Sequence, residues 1–216
     1  MVLDDATLRG SLVNRLVADG VIRSPAVINA MRTVRRHRFV PGVDLATAYS
    51  DESIVIKAAD GQVVSTISQP RMVATMLELC RPDPGARVLE VGTGTGYNAA
   101  LLAEMVGPEG KVASMEIDEG LATRARATLL AEGYAAIRVL VADGTAGMPA
   151  LAPFDAIVVT AAAEEVSPAW EAQLADRGRL VVPLGSRDVA VALERRGDDV
   201  VTVASVPARF VPLRHR

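Results

Sequence analysis

The chain has 216 residues, half of them apolar, with 23 Lys and Arg against 26 Asp and Glu, a formal charge of −3. That length supports one full α/β domain with a substantial core plus a small extra element and excludes two independent domains, and no apolar run approaches the ~18 residues of a membrane span. One cysteine and two histidines exclude an internal disulfide and argue against a structural zinc site, while the acidic balance and 3% aromatic content supply neither the charge nor the stacking surface that nucleic acid requires.

In chain order, Met1 to Asp5 has neither the basic nor the apolar region of a signal peptide, so a cytoplasmic location is expected. Leu8, Leu12, Leu16 and Val17 recur at helical spacing up to Gly20, and Ser24-Pro25 opens a second helix carrying Val27, Ile28 and Met31. The two helices are expected to cover one edge or end of a sheet. Arg32 to Arg38 is locally basic and reads as the solvated end of a helix, where cations suit the macrodipole, ahead of Phe39-Val40-Pro41. Residues 46–69 are irregular by pattern, with Asp60-Gly61 a hairpin turn between Ile54-Val55-Ile56 and Val63-Val64. Pro70 begins a helix through Met72, Met76, Leu77 and Leu79, which Pro82-Asp83-Pro84-Gly85 breaks.

From there the pattern alternates: strand 87–91, helix 97–106, strand 111–116, helix 119–132, strands 137–141 and 155–160, helix 168–175, strand 178–183. Alternation of this kind specifies an α/β fold, a Rossmann-like doubly wound, mostly parallel sheet with helices on both faces. Gly197-Asp198-Asp199 separates the last two apolar runs, 189–194 and 200–206, by too little for a crossover, so they form an antiparallel hairpin at the sheet edge. With the N-terminal helical cover, residues 1–216 read as a single domain.

The run Arg87-Val-Leu-Glu-Val-Gly-Thr-Gly-Thr-Gly96 carries a buried strand with Glu90 near its end into a glycine-rich turn and a helix. This is where an open α/β sheet holds a nucleotide-like cofactor, and Glu90, Gly92, Thr93 and Gly94 are candidate contacts. A dinucleotide fingerprint requires a third glycine where this chain has Tyr97, which favours S-adenosyl-L-methionine over a nicotinamide dinucleotide. Glu116 closes the next strand 24 residues beyond Gly92. There it suits two ribose hydroxyls, strong bonds because the acceptor is charged, or else is a surface carboxylate at a strand end. Asp143-Gly144 follows the third strand at the same edge, either accepting from an adenine amino group or serving as a common turn pair. Thr160, at the end of the fourth strand, faces the site or caps the chain's exit.

Together these features resemble the class I adenosylmethionine-dependent methyltransferases, and one family in particular, the protein-L-isoaspartate O-methyltransferases. The resemblance runs over nearly the whole length: Arg38-Phe39-Val40-Pro41, Thr66-Ile67-Ser68-Gln69-Pro70, Val88 to Tyr97, Ala152 to Ala162, Gln173 to Gly185 and Arg209-Phe210-Val211-Pro212-Leu213. The glycine turn is specific only to the class, whereas Thr-Ile-Ser-Gln-Pro with the closing segment is specific to the family. The resemblance implies Ser68 as the active-site hydroxyl with Thr66 beside it, residues 1–80 as helices and substrate-side segment, and residues 86–216 as the cofactor-binding sheet. It further implies isoaspartyl-containing peptides or proteins as partners, methylated on the free α-carboxylate to begin repair through a succinimide. For Ser68 the competing role is to cap the following helix.

The chain departs from the family pattern at Lys57 to Gly61, which is longer, and at Gly61-Gln62-Val63-Val64-Ser65, where a compact Gly-Gln is usual. Both departures flank the expected peptide site. They keep open a relative that methylates an aspartate in one dedicated natural-product peptide, although the chain's close after Val211-Pro212 favours general repair. A non-catalytic adenosylmethionine sensor is a further alternative, opposed by the joint presence of Gly92, Gly94, Glu116, Asp143 and Ser68. No metal, nucleic acid or membrane is expected, and no feature specifies an oligomeric state.

Overall fold

The computed structural model describes residues 4–215, so Met1 to Leu3 of the signal-peptide reading lie outside the described residues. The N-terminal part holds α1 (Asp5–Ala18), α2 (Pro25–Thr33), a 3-10 turn at Arg36–Phe39, the short α3 (Leu45–Ala48), the hairpin β1 (Ile54–Ala59) and β2 (Gln62–Ile67), and α4 (Pro70–Cys80). The larger part runs β3 (Arg87–Val91), α5 (Tyr97–Val106), β4 (Lys111–Glu116), α6 (Glu119–Ala131), β5 (Arg138–Val141), β6 (Phe154–Val159), α7 (Pro168–Ala172), β7 (Leu174–Leu184), β8 (Val189–Arg196) and β9 (Asp199–Pro207). None of the described helices is long and apolar enough to cross a membrane.

Seven strands form one sheet in the order β5-β4-β3-β6-β7-β8-β9, parallel from β5 to β7 and antiparallel at β7-β8-β9. The chain moves outward from β3 to β5 and then returns to lay β6 on the other side of β3. The topological switch point therefore lies between the carboxyl ends of β3 and β6, where ligands bind in open α/β sheets. Strand alternation divides the core into two. Val88, Val112, Ala156, Val158 and Val181 join one cluster; Leu89, Val91, Met115, Ile157, Leu180 and Val182 join the other, with Trp170. Near-continuous apolar strands follow from burial on both faces.

The N-terminal helices lie over one face: Leu12, Leu16, Val27 and Met31 share a core with Leu101 and Leu102 of α5, against which α2 packs. They thus thicken that face instead of closing an edge. The basic stretch also differs from its reading as a solvated helix end. Arg36 is fully buried, with its guanidinium carbon 5.1 Å from the Tyr97 ring centroid, a cation–π arrangement. Arg35 and Arg38 both donate to Glu132, at 3.0 and 2.8 Å.

The hairpin at Asp60-Gly61 is present, both residues having positive φ (51° and 73°), and β2 continues through Ile67 where the pattern suggested irregular chain. The last helix is shorter than its apolar spacing implies, because β7 begins at Leu174, which pairs with Phe154. At Gly178, beside the irregularity in that pairing, an added Cβ would lie 2.9 Å from the Ala175 carbonyl oxygen and 3.0 Å from that of Phe154.

Candidate active site

An open cleft sits at the switch point, walled by the glycine turn, the ends of β4 and β6, the second strand of the hairpin and the closing segment Phe210–Arg214. The turn after β3 is tied to the neighbouring strand: Gly92 and Thr93 both donate to the Met115 carbonyl, at 2.8 and 3.1 Å. Gly92, Gly94 and Gly96 have φ of 99°, 53° and 90°, a region side chains disfavour. At Gly92 a Cβ would also lie 2.4 Å from the Thr160 hydroxyl oxygen. That hydroxyl donates to the Gly92 carbonyl at 2.6 Å, so Thr160 lines the cleft and braces the turn at once.

The acidic candidates separate into three roles. Glu116 lines the cleft and is 7% exposed, one oxygen accepting from the Gly94 N–H (2.8 Å) and the other from the Asp118 N–H (3.0 Å). Each oxygen keeps lone-pair capacity for a ligand, and Glu116 forms no ion pair among the described residues. Glu90, in contrast, is fully buried and does not line the cleft. It accepts from the Asn98 amide at 2.8 Å and from the Ser114 hydroxyl, which also contacts the Thr93 hydroxyl at 2.5 Å. Its placement corrects the expectation of a direct cofactor contact: Glu90 shares the face of Val88, which α5 covers, so it supports the turn from below. Burial pushes its carboxyl up to about 7, against hydrogen bonds from Ser114 and Asn98 that favour the charged form.

Asp143 makes turn contacts, one carboxylate oxygen accepting from the Thr145 N–H (2.9 Å) and hydroxyl (2.7 Å). Its side chain is not part of the cleft wall, whereas Ala142 and Gly144 are. Gly144 is required for packing, since a Cβ there would meet Val91 at 2.4 Å.

The opposite wall is the substrate-side segment. Val64, Ser65, Thr66, Ile67 and Ser68 all line the cleft, and Ser65 oxygen would be 3.8 Å from a Cβ on Gly94. The capping role for Ser68 is not realised: the cap position of α4 is Gln69, with no side-chain cap bond. The hydroxyls of Ser68 and Thr66 make no hydrogen bond among the described residues and border the cleft. Beside them the closing segment is pinned by Leu213 N–H to the Ala162 carbonyl (2.7 Å) and Ala162 N–H to the Val211 carbonyl (2.8 Å). Among the lining residues to which sequence reasoning gave no role are Asp118 and Arg214. Asp118 had a visible signal, as Asp one residue before a helix. Its carboxylate caps α6 through the Leu121 N–H (3.0 Å) and pairs with Lys57 of β1, whose ammonium holds it below the usual carboxylate range.

The family model for protein-L-isoaspartate(D-aspartate) O-methyltransferase matches residues 7–216. Among curated relatives, a protein-L-isoaspartate O-methyltransferase of Roseiflexus sp. (strain RS-1) is 46% identical over 213 residues, 98% of this chain and 94% of the relative. One from Anaeromyxobacter dehalogenans (strain 2CP-C) is 48% identical over 199 residues, 90% of this chain and 91% of the relative. A solved protein-L-isoaspartate O-methyltransferase superposes with a TM-score of 0.86 at 32% identity; the match covers 94% of this chain and 65% of that structure's own length. A Plasmodium falciparum structure, provisionally assigned to the same activity and in complex with S-adenosyl-L-homocysteine, shares the fold at a TM-score of 0.82 and 22% identity, with both chains fully covered.

Proposed function

The chain belongs to the protein-L-isoaspartate(D-aspartate) O-methyltransferase family, and from that membership we infer that it transfers a methyl group from S-adenosylmethionine to the free α-carboxylate of L-isoaspartyl residues in damaged proteins. The observation that carries this reading is a single cleft with a glycine turn and Glu116 on one wall and, on the other, Thr66 and Ser68, whose hydroxyls have no partner among the described residues.

The residues of the first wall suit the cofactor. Gly94 leaves the backbone open, the nearest atom to an added Cβ being the Ser65 hydroxyl oxygen at 3.8 Å, and Glu116 presents a carboxylate to accept ribose hydroxyls. Ala142 and Gly144 border the cleft where the adenine would lie. Bound S-adenosylmethionine supplies a methyl group carried on a positively charged sulfur.

The second wall needs little catalytic apparatus. An α-carboxylate with a reference pKa of about 3.3–3.7 is already ionised near neutrality, so no general base is required. Ser68 donates one hydrogen bond that orients this carboxylate, and Thr66 offers a second donor beside it. Val64, Ile67, Val91, Met115 and Val158 make the intervening walls apolar, which limits water and leaves alignment as the main task. The alternative of one dedicated peptide substrate is not favoured, since curated relatives 43–48% identical over most of the chain carry the repair enzyme's name. A cytoplasmic location accords with the chain's single cysteine, Cys80, which leaves no internal disulfide to form.

The test is methyl transfer from labelled adenosylmethionine to matched peptides containing L-isoaspartate or L-aspartate, quenched in acid because the ester is base-labile. Label on the isoaspartyl peptide alone is the expected result. Label on neither peptide, with cofactor binding intact, rejects general repair.

A further inference from the structure

Ser68 lies in the short link between β2 and α4, and that link has little to hold it locally. Gln69 occupies the cap position of α4 without a side-chain cap bond, and Pro70 brings no N–H. The first turn of α4 is instead satisfied from a distance. Asp51 accepts from the Arg71 N–H at 2.8 Å with one carboxylate oxygen and from the Arg71 side-chain Nε at 3.0 Å with the other. Its main-chain carbonyl accepts from the Gln69 side-chain amide at 2.9 Å. Three hydrogen bonds accepted by one residue therefore fix Gln69, next to Ser68, and Arg71, three positions after it.

Asp51 is itself held in place by the buried Arg36. The guanidinium donates to the Ala48 carbonyl at 3.0 Å and to the Glu52 carbonyl at 3.4 Å, bracketing Asp51 on both sides. The nearby Asp51 charge favours the buried cation, which also packs on Tyr97 at the first position of α5. A frame thus runs from the end of the glycine turn through Arg36 and the 48–52 bend to the serine link.

We propose that Asp51 is a positioning residue for methyl transfer, acting through Gln69 and Arg71 to aim the Ser68 hydroxyl at the substrate carboxylate. This rests on the functional reading above. A misplacement on the order of 1 Å at such a group costs up to about a hundred-fold in rate. Without the anchor the link is expected to sample several positions.

The test is a double-substitution cycle, with turnover counted per cofactor-binding site so that loss of folded protein does not register. Asp51→Ala removes the two carboxylate bonds to Arg71 while the main-chain bond to Gln69 stays, and it is expected to lower kcat/KM for an isoaspartyl peptide about ten-fold, with adenosylmethionine affinity within about two-fold of wild type. In a Ser68→Ala background the same substitution is expected to cost less than about two-fold, because the residue it aims is gone. A full ten-fold loss in that background overturns the proposal, as does a loss of cofactor affinity in step with turnover. Should Asp51→Ala not fold, Asp51→Asn keeps one acceptor for the Arg71 N–H, and a smaller loss with the same non-additivity is expected.

If the wild-type protein methylates no isoaspartyl peptide, the functional reading has failed and the anchor is read by amide hydrogen exchange. Faster exchange over residues 67–72 in Asp51→Ala, with residues 92–98 unaltered, supports the anchoring. Unaltered exchange over 67–72 overturns it.

Discussion

Replacing Ser68 by Ala removes a hydroxyl from the cleft wall and no hydrogen bond among the described residues, so its cost should fall on turnover and spare stability. One oriented hydrogen bond is worth roughly 1–1.5 kcal/mol, which predicts about a ten-fold fall in kcat with cofactor affinity nearly unaltered. An unchanged kcat would remove Ser68 from the site. Glu116→Ala should act the opposite way, weakening binding of S-adenosylhomocysteine about ten- to a hundred-fold in a calorimetric titration, because two charge-assisted acceptors are lost. Unaltered binding would show the ribose contact to be misassigned. Glu90 belongs to a third kind. Its carboxyl, normally near 4.5, titrates at about 7 when folded, so the native protein holds a proton that the unfolded chain releases between those values. The resulting stabilisation is fully present below about pH 4.5 and is lost as pH rises through 7, a change of roughly 3 kcal/mol. Glu90→Gln should therefore flatten the decline of Tm from about pH 5 to pH 8, and melting curves that stay parallel to wild type would rule this out. Sequence marked both glutamates as strand-end acids and could not separate them. In a parallel strand buried on both faces, neighbours on either side are equally apolar, and only the packing of α5 over Glu90 makes it a support.

At the scale of elements, the hairpin β1-β2 is a two-stranded sheet outside the main one, and its inner strand forms one wall of the cleft. Lys57 on β1 pairs with Asp118 at the head of α6, and so joins the hairpin to the loop that follows Glu116. The lysine side chain is 37% exposed and the aspartate 12%, so the bond is partly screened and modest. Lys57→Met keeps the apolar stem while removing the charge. It should raise the dissociation rate of adenosylhomocysteine about three-fold and abolish the salt dependence of that rate in stopped-flow displacement. A rate that remains as salt-sensitive as wild type would sever the link between hairpin and cofactor. The hairpin turn was legible because Asp-Gly readily takes the positive φ both residues adopt here. The Lys57–Asp118 bond was not legible, since it spans 61 residues and depends on how the hairpin folds over the sheet. Arg36 was hidden for a related reason: four basic residues in one stretch look solvated until the Tyr97 ring and two carbonyls arrive from elsewhere in the chain.

For the whole molecule, the alternating strands bind the two cores into one unit. Leu89 packs on the side of Trp170 while its neighbour Val88 packs with α5 and the N-terminal helices, so neither core can open without disrupting strands of the other. The strand-and-helix order made this architecture readable from residue 87 onward, because buried parallel strands and βα turns leave strong local patterns. The position of the first two helices was less legible, as an amphipathic helix does not specify which surface it will cover. We propose that residues 4–215 unfold as a single domain, and the chain's one tryptophan allows a direct check. Trp170 lies in the second core, its indole N–H donating to the Gly144 carbonyl at 2.8 Å, whereas circular dichroism at 222 nm weights the longer helices on the first. Both signals should melt at one Tm. Leu89→Ala, a cavity of about 3 kcal/mol in the second core, should lower both together by roughly 10 °C. If fluorescence moved while the helical signal kept its wild-type midpoint, the two cores would be independent and the single-domain reading would fall.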